Sequence, residues 1–137
     1  MIKIKGSDTE VNLSANLAEE FSETNGTFSV AISGGGSGLG IAALLNGQAD
    51  IAHSSRPLTA EEIHLFKNKN IALKTVIFAE DATAFVVHRS NPLSEIDTAQ
   101  LAALLSGRTT NWAAISGVQM PVNIYGRQSS SGTYSFV

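Results

Sequence analysis

FSVAISGGGSGLGIAALL, residues 28 to 45, places a strand, a turn and a helix in immediate succession, the unit from which an α/β fold is built. Phe28, Val30 and Ile32 alternate with Ser29 and Ala31, the period-two pattern of a strand with one buried face. Further on the spacing changes: Ile41, Leu44 and Leu45 recur at helical intervals, and Asn46-Gly47 ends the run. Glycines surround Ser37 in the turn between. A strand that passes through such a turn straight into a helix leaves the first helical amides without partners, at the positive end of the helix dipole. Each junction of this kind is a potential anion cradle.

The pattern recurs on both sides of this stretch. Upstream, Ile2 and Ile4 alternate with Lys3 and Lys5, and GSDT at 6 to 9 follows at once. Next comes a helix with Leu13, Leu17 and Phe21 beside Ala18 on one face, Glu19, Glu20 and Glu23 toward water, and Asn25-Gly26 at its end. Downstream, Asp50 to Ala52 predicts a brief strand leading into HSSRPLT at 53 to 59. Thr59-x-x-Glu62 then matches a capping box ahead of Ile63 and Phe66. A fourth loop, GRQSSSGTY at 126 to 134, follows a strand predicted over 122 to 125. Alternating strands and helices predict an α/β protein with parallel strands, whose ligands sit at the carboxyl ends of the strands.

Between the third and fourth loops the character of the chain changes. Two β-rich runs, 72 to 78 and 84 to 88, flank Glu80 and Asp81 and read as a crossover between lobes. From Asn91-Pro92 a fresh unit begins: Asp97-x-x-Gln100 caps a helix through Leu101, Leu104 and Leu105, and a turn holds Asn111-Trp112. Trp112 beside Ile115 reads as a core aromatic. The division expected is a first lobe over 1–80, and a crossover with the beginning of a second lobe over 81–137.

Composition narrows the possible partners. A chain of 137 residues suits one ordinary domain, and 43% hydrophobic with 15% charged residues reads as globular. The formal charge of -3 gives no long-range attraction for nucleic acid or an anionic membrane, so any anion recognition must be local. No apolar run approaches the length of about 18 residues needed to span a bilayer. The basic start and apolar stretch of a secretory signal are absent from this sequence, where Met1 leads directly into Ile2 and Ile4. With no cysteine there is no disulfide or thiolate metal site. His53, His64 and His88 lack metal-ligand spacing, so neither metal nor cofactor is expected.

Enzyme motifs fail in the glycine loop on spacing. No lysine stands near Ser37 to make a nucleotide phosphate loop, and Leu39 breaks both the dinucleotide fingerprint and the serine-hydrolase elbow. What remains is a turn whose amides, that of Gly38 among them, and Ser37 hydroxyl can approach a ligand closely. The alternative is a glycine turn that simply packs strand on helix. In the last loop Arg127 supplies a planar donor fork, and Ser129, Ser130, Ser131 and Thr133 surround Gly132, a mixture suited to tetrahedral oxyanions. Read alone, it could equally be a solvated serine-rich loop. Ser54, Ser55 and Arg56 repeat the formula, which favours a shared ligand. Of Asp8 and Thr9, one is expected to cap the first helix and the other to touch ligand. As an acceptor, Asp8 could take a hydrogen bond from an anion that still carries a proton, separating hydrogenphosphate from sulfate.

Read together, the loops resemble the substrate-binding protein of bacterial phosphate ABC transporters. GSDT, GGGSGLGI, ADIAHSSRPLT, TNW at 110 to 112 and GRQSSSGTYSFV lie in that family's order and approximate spacing, from Ile2 to Val137. The resemblance implies a two-lobed periplasmic-binding-protein-like (venus flytrap) α/β fold that closes on phosphate outside the cytoplasmic membrane and delivers it to a permease. It carries ligand contacts onto Thr9, Ser37, Ser55, Arg127, Ser131, Gly132 and Thr133. Some family members hold an aspartate in the third loop, where this chain has Ser55 and Arg56, and Asp8 is the candidate replacement. Family members are also longer, so an incomplete second lobe and self-association are expected. The competing readings are a binder of another oxyanion such as sulfate or molybdate, a phosphate-ester hydrolase using Ser37 or Ser131, and a structural module that binds nothing.

Overall fold

A computed structural model describes residues 1–137. The chain divides into two compact units: Met1–Glu80 together with Arg127–Val137, and Asp81–Gly126. The last loop therefore groups with the first 80 residues, whereas the division expected from sequence placed it with 81–126. A backbone hydrogen bond from Gly38 to Ser130, and side-chain bonds from Gln128 and Ser130 to the Gly35 carbonyl, tie it to the glycine loop.

The first unit is built on a parallel sheet of three strands in the order β2-β1-β3. β1 (Ile2–Gly6) is central, β2 (Val30–Ser33) pairs with one edge and β3 (Ile51–His53) with the other. Lys5 stands opposite both Ser33 and Ala52, and Gly6 opposite His53, so the three carboxyl ends finish side by side. This register brings three loops from distant parts of the sequence to one edge of the sheet.

Helix α1 (Val11–Thr24) packs on β2, and α2 (Ser37–Leu45) packs on β1 and β3. The inward stripe of α1 is not the one its leucines suggest. Val11, Ser14, Ala18 and Ser22, spaced at helical intervals, are the buried or half-buried positions, while Leu13, Leu17 and Phe21 are 43%, 52% and 39% exposed. Small residues let the helix axis approach the sheet closely, and the leucine stripe lies beside the contact. Ile41, Ala43, Ala49 and Phe66 form the buried apolar core of this unit. Phe66 belongs to α3 (Ala60–Asn68), whose Thr59–Glu62 capping box is complete in both directions. Full burial of such a side chain contributes about 1.5–3 kcal/mol.

The second unit contains α4 (Thr98–Leu105), opened by the Asp97–Gln100 capping box and anchored by buried Leu104. The short α5 (Ala113–Ser116) follows half-buried Trp112 and ends at Gly117 in the left-handed region. A single antiparallel bridge joins Asn111 to Pro121. A last helix, α6 (Gly132–Phe136), closes the first unit.

Three expected strands are not strands. Residues 72–78, 84–88 and 122–125 join no ladder, and within them Ile77, Val86 and Tyr125 are 85%, 89% and 93% exposed. β-branched composition favours a pleated surface, but a strand exists only where a neighbour accepts its hydrogen bonds. No helix is long and apolar enough to cross a membrane.

Candidate functional site

The backbone of the glycine loop is tied to its neighbours before any side chain is considered. Gly36 N–H donates to the Gly6 carbonyl at 2.9 Å, and Ser7 N–H to the His53 carbonyl at 3.1 Å, linking the first loop to the second and third. The fourth loop joins when Gly38 N–H donates to the Ser130 carbonyl at 3.1 Å and Ser130 Oγ to the Gly35 carbonyl at 3.1 Å. Gly36 holds φ of 102°, and a Cβ there would stand 2.6 Å from the Ser130 carbonyl oxygen. Only glycine serves both demands.

At the centre of this junction are three hydroxyl-bearing residues and a glycine. Ser37, first residue of α2, is fully buried. Its Oγ accepts from Ser55 N–H at 3.2 Å and lies 3.3 Å from Ser55 Oγ. Gly132 faces the pair so closely that a Cβ would overlap Ser55 Oγ and come within 2.5 Å of Ser37 Oγ. Ser131, itself buried, accepts from Tyr134 N–H at 3.4 Å and thereby caps α6. Ser37, Ser55, Ser131 and Gly132, expected from sequence to share a ligand, come together here, with Gly38 one residue further along α2.

Both arginines of the expected site are already paired. Arg56 makes a bidentate contact with Glu62, Nη1 to Oε2 at 2.8 Å and Nη2 to Oε1 at 2.7 Å, and Nη1 also donates to the Pro57 carbonyl. The hydrogen bond with Glu62 raises the Arg56 pKa and lowers that of Glu62, which the Thr59 amide lowers further. Arg56 Nη2 nevertheless lies about 4.0 Å from the Cβ position of Gly38, beside the start of α2. Arg127 donates from Nη2 to Asp8 Oδ2 at 2.7 Å, while Asp8 Oδ1 accepts from Gly35 N–H at 2.8 Å. Each Asp8 oxygen thus has one protein partner. Thr9 lies exposed in the single 3-10 turn Asp8–Glu10, and Thr133 is half-buried in α6.

Several contributors escaped the sequence reading. Gln128 Nε2 donates to the Gly35 carbonyl at 3.4 Å, and buried Ser7 sits at the end of β1. Glu62 was visible as a capping residue, but nothing in its spacing announced a second bond to Arg56. His53, at the end of β3, contacts Ser14 Oγ through Nε2 at 3.2 Å and stacks on Phe78 with ring centres 5.7 Å apart. Burial lowers its pKa from the ordinary value of 6.5, because it disfavours the charged ring.

A parallel α/β sheet with donor-bearing loops gathered at its strand ends is the architecture of a ligand-binding domain. A family model described as the PBP superfamily domain matches residues 1–137, and the chain belongs to this superfamily of periplasmic-binding-protein-like folds. Protein SphX of Synechococcus elongatus is 34% identical over 142 residues, covering 99% of this chain and 42% of that protein. The phosphate-binding protein PstS of Borreliella burgdorferi is 32% identical, covering all of this chain and 47% of its own length. A Clostridium perfringens crystal structure, described as a phosphate ABC transporter substrate-binding protein with bound phosphate, superposes with a TM-score of 0.89. The match is at 29% identity, over 98% of this chain and 53% of that one. The chain thus spans about half the length of the relatives it matches.

Proposed function

We propose that the junction of the four loops binds inorganic phosphate, and that the protein serves outside the cytoplasmic membrane as the substrate-binding component delivering it to an ABC-transporter permease. The observation that carries this reading is the meeting of Ser37, Ser55 and Gly132 at the start of α2, inside a domain that superposes on a phosphate-bound relative. Ser37, Gly38, Ser55, Ser131, Gly132 and Thr133 supply neutral hydroxyl and amide donors, Thr9 a hydroxyl at the rim, and Arg127 the cation. Arg56 acts from beside α2 while its charge is balanced by Glu62. Exclusion of water around the bound anion would strengthen every one of these bonds.

Binding rather than turnover fits the serines' partners. Ser37 Oγ accepts from a backbone amide and faces another hydroxyl, and Ser131 Oγ caps a helix. Neither has a titratable base at hand to activate it as the nucleophile of an ester hydrolase. Hydroxyl donors to a charged ligand contribute roughly 1.5–3 kcal/mol each, so Ser37→Ala is expected to weaken phosphate binding by about tenfold or more in isothermal titration calorimetry. Unchanged affinity in that variant would remove Ser37 from the site. Competition by sulfate or molybdate at equal strength would instead assign a general oxyanion binder.

A further inference from the structure

The carboxylate of Asp8 occupies a seat shaped by two distant parts of the chain, the glycine loop and Arg127. Oδ1 takes Gly35 N–H at 2.8 Å from the glycine loop, and Oδ2 takes Arg127 Nη2 at 2.7 Å from a residue 119 positions away. The seat exists because Gly34 has no side chain: a Cβ at that position would collide with Asp8 Oδ1. An exposed ion pair by itself means little, and these two side chains are 42% and 40% exposed. Here, however, the carboxylate is also fixed by a backbone amide and fitted against a glycine, so it is ordered independently of the guanidinium. Arg127 in turn uses only Nη2 on Asp8, which leaves the Nη1 and Nε hydrogens of the fork available to another oxyanion.

We infer that Asp8 is a positioning residue: its carboxylate locks Arg127 and the glycine loop into one preassembled arrangement before an anion arrives, and it acts on the anion only through Arg127. The ligand in this inference rests on the phosphate reading above, whereas the lock can be observed without ligand. Preassembly removes the ordering cost of a long flexible side chain from the binding step. This role needs no proton on the ligand, because what Asp8 contributes is the placement of Arg127 and Gly35 through its two oxygens.

Two measurements on the whole chain separate the inference from the phosphate reading. In ligand-free protein, Gly35 amide hydrogen exchange should be slow and should accelerate at least about fivefold in Asp8→Asn and in Gly34→Ala, each of which disturbs the seat while circular dichroism stays native. Phosphate titrations of Asp8→Asn, Arg127→Ala and the double variant then form a cycle. Asp8→Asn should weaken binding about fivefold and Arg127→Ala at least about tenfold, and the double variant should bind within about twofold of Arg127→Ala. Gly35 exchange unchanged by both seat variants overturns the lock. Tighter binding by Asp8→Asn, or an undiminished Asp8 effect in the Arg127→Ala background, overturns the positioning role. Absence of phosphate binding by the unaltered chain, with Gly35 responding as expected, overturns the ligand assignment and leaves the lock standing.

Discussion

The residue with the most to say about stability is His53, which lies outside the donor set but immediately before it. Its backbone carbonyl receives Ser7 N–H, and its ring is held between Ser14 and Phe78 with burial favouring the neutral form. Above pH about 6.5 folded and unfolded chains both carry a neutral ring, so His53 adds no slope to stability. As pH falls through 6.5 the unfolded chain takes up the proton first, because the folded pKa is depressed, and stability falls with pH until the folded ring also protonates. Glu62 contributes in a separate, more acidic window, since its lowered pKa gives stability that is lost only as pH drops below the unfolded 4.5 toward its folded value. Thermal melts between pH 7.5 and pH 5 are therefore expected to show a Tm that falls as pH drops through about 6.5, and His53→Gln should flatten that part of the curve. An identical slope in the variant would mean that another group titrates there. None of this was legible in the sequence, where His53 was only one of three histidines without metal spacing; its environment depends on Ser14, 39 positions away, and on Phe78.

Among the elements, those stabilised by short-range interactions were the most legible. Both capping boxes occur at the expected positions, because a Thr or Asp side chain and the Glu or Gln three residues later satisfy each other's backbone without help from elsewhere. β1, β2 and β3 were also legible, since alternation and a following glycine turn are local signals. The runs at 72–78, 84–88 and 122–125 carry the same composition and are not strands, because a ladder partner is a property of the tertiary structure. Periodicity likewise found α1 but could not tell its Val11-Ser14-Ala18-Ser22 stripe from its leucine stripe, both of which repeat at helical spacing. The start of α6 is where element and site meet. Gly132 follows the capping Ser131 and lies against Ser55 and Ser37, so the helix can begin there only with a residue that has no Cβ. Gly132→Ala should force α6 and the third loop apart. Phosphate affinity is expected to drop by more than about a hundredfold, as for loss of several converging bonds at once, while the melting temperature changes by only a few degrees. Retained affinity would show that α6 can retreat without cost and that its first turn is not part of the cradle.

For the whole molecule, burial is uneven in a way that composition alone did not reveal. The sheet has only three strands, so β2 and β3 each present an outer edge without a ladder partner. Leu17 and Phe28 in the first unit are 52% exposed, Ile77 in the same unit is 85% exposed, and Val86 in the second is 89% exposed. Single exposed apolar residues are ordinary on protein surfaces, but unpaired sheet edges recruit other strands, and exposed β-branched runs can supply them. The net charge of -3 offers little repulsion to prevent it. Self-association follows: size-exclusion chromatography with light scattering should return a mass above the 14.4 kDa of one chain, rising with protein concentration. Ile77→Lys and Val86→Lys place charge on the most exposed of these positions, the substitution natural edge strands use against pairing. Each is expected to shift the distribution toward the single-chain mass. Phosphate should be titrated into the same samples, because the residues proposed to bind it all lie within Met1–Glu80 and Arg127–Val137. Association through 84–88 would leave the binding stoichiometry at one anion per chain. A uniform single-chain mass at every concentration, in the unaltered protein and both variants alike, would show that these apolar runs find their cover within one molecule in solution.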